Sequence, residues 1–201
     1  INSVDDGLTA GGHLTHSKVP FVLFESDAWD SYEYCGVTFP AFGDQDLVED
    51  LRSFVSKHLI TTDIYFHYMA LAWKQFNPSP ALLSSNRTDI KKILMPLTGI
   101  IRLYALKHGI VGLSTPDRII ELYSGNFIDH KILRETLKAW KDLSSIRFTH
   151  QALCINKETD PDNIIDFRFT DYDSRSFAGQ AISNINNLML KAGTDFYTEI
   201  L

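Results

Sequence analysis

A chain of 201 residues, 44% hydrophobic and 22% charged, can bury a substantial core and is long enough for one or two domains. Its net charge of -6 and pI near 5.6 leave no global basic field to attract nucleic acid. No apolar run approaches the roughly 20 residues of a membrane span, so nucleic acid and membrane are both set aside as partners.

The start, INSVDDGLTAGG, has neither the basic region nor the apolar stretch of a signal peptide, and the missing initiator Met suggests a piece of a longer protein. Residues 1–18 read as an exposed lead-in rich in Gly, Ser, Thr and Asp, followed by the strand-like run 19–24, VPFVLF, with Pro20 favouring an edge position. The aromatic-rich stretch 25–43 has no period. Residues 1–43 are therefore taken as an N-terminal segment, irregular or partly β, and residues 44–201 as a helical domain.

The helical part opens at Asp44, with Leu47, Leu51, Phe54, Val55 and Leu59 on one face. A second helix, DIYFHYMALAWKQF, is apolar nearly all round, which predicts a central position, and it stops before Asn77-Pro78. Thr88 or Asp89 opens a third helix closed by Gly109, and Pro96 inside it should kink the helix or mark its true start. Ser114-Thr115-Pro116-Asp117 caps a short helix ended by Gly125. The longest run extends from about Asn126 to Asn156, with Ile132, Ala139, Leu143, Ile146 and Leu153 forming its apolar stripe. After a turn at Asp160-Pro161-Asp162-Asn163 and an irregular stretch, a last helix from about Ser174 carries Phe177, Ala181, Ile185, Leu188 and Ala192. The six runs predict a mainly α fold, an up-and-down helical bundle.

Asp44 and Asp46, two acids at i and i+2, would suit magnesium only on a strand behind a phosphate-binding loop, and the helix that follows favours a cap instead. His13 and His16 supply two ligands where a tight zinc site wants three or four, and Cys35 and Cys154 lack metal-ligand spacing. The unpaired spacing of these thiols fits a reducing, cytoplasmic compartment. No nucleophile elbow, Walker loop or dinucleotide fingerprint is present, so no catalytic set and no metal site are assigned. The remaining candidates are Lys91, Arg102, Arg118, Arg147, His150 and Gln151. Arg102 and Arg147 each interrupt an apolar helix, and two guanidinium groups beside His150 would suit a phosphate or carboxylate. The competing reading pairs each arginine with a carboxylate such as Asp89, Asp117, Glu121 or Asp166.

The stretches Asp89-Ile90-Lys91, Pro96-Leu97, Ile101 to Leu106 and Gly109-Ile110, then Ser114-Thr115 with Arg118-Ile119, resemble the putative nucleotidyltransferase substrate-binding domain family. Leu143, Ile146-Arg147-Phe148, His150-Gln151 and Pro161 to Asp166 extend the resemblance from about Asp89 to the C-terminus. It implies the helical part of a bacterial signalling protein in which CBS or cyclic-nucleotide-binding modules and a nucleotidyltransferase-like domain come first. In that arrangement the catalytic motifs and any magnesium belong to the other domain, and this chain supplies a pocket for a nucleotide or other phosphate-bearing ligand. The alternative is a pure interaction module that docks regulatory domains or dimerises through Phe196, Tyr197, Ile200 and Leu201. A self-sufficient enzyme using Asp44 and Asp46 ranks last.

Overall fold

A computed structural model describes residues 63–197 other than 86, 111 and 113. The lead-in with His13 and His16, the run 19–24, Cys35, the helix beginning at Asp44 and the chain end with Ile200 and Leu201 lie outside the described residues. Within them the chain forms five α-helices and one two-stranded antiparallel ribbon. None of these helices is long and apolar enough to cross a membrane.

Helix α1 (Asp63–Lys74) buries Phe66, Ala70 and Trp73, spaced by four and three, while Leu71 on its other side is 40% exposed. Among the described helices the central place belongs instead to α2 (Ile90–Lys107), which packs on each of the other four and buries Ile90, Ile93, Leu97, Ile100, Ile101 and Leu103 among others. Asp89 caps α2 by accepting from the Lys91 N–H at 3.0 Å, so Pro96 lies inside the helix and does not mark its start. Gly99 lets α1 and α2 meet: a Cβ there would fall within the Trp73 indole. Gly109, at φ 64, then closes α2 in the left-handed conformation that glycine favours.

Ser114 and Asp117 form a reciprocal capping box on α3 (Thr115–Ser124). The long helix begins later than its sequence suggests. Asn126 turns left-handed at φ 59, which no helix continues, and Asp129 caps α4 (His130–Asn156) by accepting from Ile132 N–H at 2.8 Å. Ile132, Ala139 and Leu143 are buried as the stripe predicts, but Leu153 is half exposed because α4 outruns the helices packed on it. Helix α5 (Tyr172–Tyr197) runs antiparallel beside α4, with Asn184 reaching the Glu135 carbonyl and Lys138 standing over the Phe177 ring. Its buried stripe is Ala178, Ala181, Ile182, Ile185, Leu188, Ala192 and Phe196; Phe177 sits at the edge.

Between α4 and α5, where the sequence shows no period, strand β2 (Ile164–Ile165) pairs with β1 (Thr88–Asp89), Thr88 opposite Ile165 and Asp89 opposite Ile164. This ribbon ties the loop after α4 to the start of α2. The Ile90 N–H extends the tie by donating to the Asn163 carbonyl at 2.9 Å.

Candidate functional site

The polar residues that interrupt the second half of α4 all turn toward that tied loop. Arg147 Nε donates to Asn163 Oδ1 at 2.7 Å, and Gln151 Nε2 donates to the same oxygen at 3.3 Å. His150 Nε2 stands 2.7 Å from Asp162 Oδ1, which also accepts from the Ile164 N–H at 2.9 Å. The hydrogen bond from His150, then that from Ile164, hold the Asp162 carboxyl below the usual carboxylate range, with the Arg87 charge adding to both. Cys154, one turn beyond His150, brings its Sγ to 3.6 Å from Nε2. Thus Arg147, His150 and Gln151 do form one cluster, directed at the Asp162-Asn163 turn.

Of the other sequence candidates, Lys91 adjoins this turn while Arg102 and Arg118 stand elsewhere. Lys91 is exposed in the first turn of α2, next to Ile90 and so beside the same turn. Arg102 is half-buried about 16 Å further along the α2 axis than Lys91, at 1.5 Å per residue. Arg118 is buried and donates from Nε to the Gly112 carbonyl at 2.8 Å, pinning the link between α2 and α3. Three of the four carboxylates offered as arginine partners have bonds of their own. Asp89 and Asp117 cap helices, and Asp166 binds Arg168 with two hydrogen bonds, at 2.9 and 2.6 Å.

A concave site opens at the opposite end of α2, between α2, α5 and the segment joining α3 to α4. This cleft of about 380 Å³ is lined by Tyr104, Lys107, His108, Phe127, Lys191 and Asp195, together with Thr194 and Phe196. Tyr104 and Lys107 of α2 and its C-cap His108 share one face by their spacing of three and four, and Lys191 and Asp195 do the same on α5. One wall is flat: the His108 and Phe127 rings stack 3.7 Å apart at 13°. Asp195 Oδ2 accepts from the Tyr104 hydroxyl at 2.5 Å and from Lys191 Nζ at 2.8 Å. Burial first, then the hydrogen bond to Asp195 and that group's charge, push the Tyr104 hydroxyl far above the ordinary phenol range, so it remains a donor. Lys107 Nζ lies 5.1 Å from the centre of the Phe196 ring and 5.9 Å from that of Phe66.

Among the described residues the cleft is lined by two ammonium groups and one carboxylate, a net positive set within a chain of charge -6. A flat wall beside that charge suits a ligand with an anionic end and a planar ring. The sequence points to this face only weakly. Tyr104 falls inside the stretch of resemblance, but Lys107 at the end of α2 and Lys191 within α5 look like ordinary solvated helix positions.

A family model described as a putative nucleotidyltransferase substrate binding domain matches residues 63–195, well over half of the 201. No curated protein and no solved structure matches the chain.

Proposed function

The chain belongs to the family of putative nucleotidyltransferase substrate-binding domains, and from that premise we propose that the cleft between α2 and α5 binds a nucleotide. Lys107 and Lys191 hold its phosphates, and the stacked His108 and Phe127 rings form the wall on which its base lies. Asp195 orients Lys191 and, through Tyr104, fixes the floor of the cleft. The observation that carries this reading is the pair of ammonium groups beside a flat aromatic wall in one cleft.

The domain's part in transfer is then positioning. Among the described residues the cleft carries one carboxylate, Asp195, already engaged by Tyr104 and Lys191, whereas phosphoryl transfer calls for a metal held by carboxylates. On this proposal magnesium and the catalytic carboxylates come from a separate nucleotidyltransferase-like domain regulated by CBS or cyclic-nucleotide-binding modules, a division that the description of the family as a substrate-binding domain supports.

The test is a thermal-shift screen of the chain against nucleoside mono-, di- and triphosphates and cyclic dinucleotides, with and without magnesium. A ligand at one hundred times its Kd adds about 2.7 kcal/mol, a rise of roughly 5 to 10 °C for a chain of this size. A shift that disappears in Lys107→Ala and Lys191→Ala is the expected result. A flat screen across all these nucleotides, or a shift indifferent to both lysines, overturns the reading.

A further inference from the structure

The end of α4 carries a constellation that nucleotide binding in the cleft does not use. His150 and Cys154 are four residues apart, so their side chains rise from adjacent turns on one face. Asp162 returns over that face from the turn beyond the helix. The three donor atoms, His150 Nε2, Cys154 Sγ and a carboxylate oxygen of Asp162, lie within 4.8 Å of one another.

The separations can be compared with those a metal would impose. Tetrahedral zinc, with bonds of about 2.0 Å to nitrogen and oxygen and about 2.3 Å to sulfur, sets nitrogen and sulfur about 3.5 Å apart and nitrogen and oxygen about 3.3 Å apart. His150 Nε2 and Cys154 Sγ stand at 3.6 Å, already the spacing of a zinc site. His150 Nε2 and Asp162 Oδ1, at 2.7 Å, have a proton between them and open by roughly 0.6 Å when a cation takes its place.

The carboxylate ligand is also held in advance. Asp162 Oδ1 accepts from the Ile164 N–H, and the next residue is fixed from two sides. Asn163 Oδ1 accepts from Arg147 and Gln151 of α4, and its carbonyl accepts from Ile90 of α2. Contacts of this kind orient metal ligands and tune their affinity. The last turns of a helix also present the negative end of its dipole, which favours a cation. Side-chain exposures of 26% for His150 and 55% for Asp162 leave one side of the cluster open to water.

We propose that His150, Cys154 and Asp162 bind a zinc ion, with its fourth coordination position open to solvent. Thiolate, imidazole and carboxylate together are a zinc-type donor set. On binding, zinc displaces the thiol proton of Cys154 and bonds to Nε2 of the neutral His150 imidazole, whose one ring proton then sits on Nδ1, while Asp162 enters as the carboxylate. The site stands by the start of α2 and the cleft by its end. Ile90 and Tyr104 are about 21 Å apart along the helix axis, so the two proposals stand or fall separately.

Cobalt(II) added to the full chain provides a spectroscopic probe, with zinc as competitor. One cobalt per chain should give a thiolate-to-cobalt charge-transfer band and the intense ligand-field bands of a tetrahedral ion, both erased by one equivalent of zinc. Cys154→Ser should remove the charge-transfer band and Cys35→Ser should leave it. His150→Ala and Asp162→Asn should each weaken binding, with circular dichroism verifying the fold. Asn163→Ala removes a positioning residue and should weaken binding about 10- to 100-fold while keeping the thiolate band. The proposal is overturned if no thiolate band forms, if the band survives Cys154→Ser, or if binding follows His13 and His16 instead.

Discussion

Two changes four residues apart on α5 should move nucleotide affinity in opposite directions. Lys191→Met keeps the length of the side chain and deletes its charge. A hydrogen bond to a charged group contributes about 1.5 to 3 kcal/mol when shielded. The Lys191 side chain is 26% exposed and shares its charge with Asp195, so the lower end applies, about 1.5 kcal/mol or roughly a tenfold rise in Kd. Asp195→Asn removes the negative charge that a phosphate beside Lys191 must approach, yet its amide oxygen can still accept from Tyr104. That relief, screened at the mouth of the cleft, is on the order of 1 kcal/mol, or roughly fivefold tighter binding. Isothermal titration of a nucleoside triphosphate into the chain and both variants, at two salt concentrations, measures each change. Lys191→Met should also flatten the salt dependence. Lys191→Met binding as the parent does would remove Lys191 as a phosphate contact, and Asp195→Asn binding more weakly with its fold intact would make the carboxylate an acceptor for the ligand.

Gly99→Ala places a methyl group in the Trp73 indole at the α1–α2 contact, where both residues are buried. Overpacking of this kind costs about 1 to 3 kcal/mol, and each kcal/mol lowers Tm by roughly 2 to 4 °C in a chain of this size; an unchanged melting curve would show that the helices separate at no cost. Alkaline stability reports on Tyr104, whose raised pKa means that the folded state keeps a proton the unfolded state gives up. The resulting stabilisation is complete below the unfolded tyrosine pKa of about 10 and is lost as pH rises above it. Urea midpoints between about pH 8 and 11 should therefore fall less steeply in Tyr104→Phe, and equal slopes in parent and variant would remove Tyr104 as the cause.

Helix boundaries were most legible where a side chain competes with the backbone for hydrogen bonds. Asp89, Ser114 and Gly109 each do at a helix end what their residue types suggest. Sequence and structure part where tertiary packing decides. The α1 sequence is apolar nearly all round, yet Leu71 is exposed while α2 occupies the centre, because burial depends on which neighbours surround a helix and not on its own pattern alone. Residues 164–165 pair with 88–89 across a long separation, and a two-residue strand has no period to read.

The candidate sites show the same division. Arg147, His150 and Gln151 stood out because polar side chains on a helix's inner stripe need partners, and the partners proved to be Asp162 and Asn163, within the stretch that carries the family resemblance. Cys154 did not stand out. Four residues beyond His150 it is an ordinary helical thiol, and it becomes a possible ligand only when the turn brings a carboxylate over both. The cleft is further still from sequence reasoning, because Lys107 and Lys191 are 84 positions apart and only the packing of α5 on α2 puts them in one hollow. Single residues on a helix can announce that a contact exists. Whether that contact closes into a fastening or leaves room for a ligand is fixed by the chain crossing over it, which at Asn163 fills the space with an amide and beside Lys191 leaves it open.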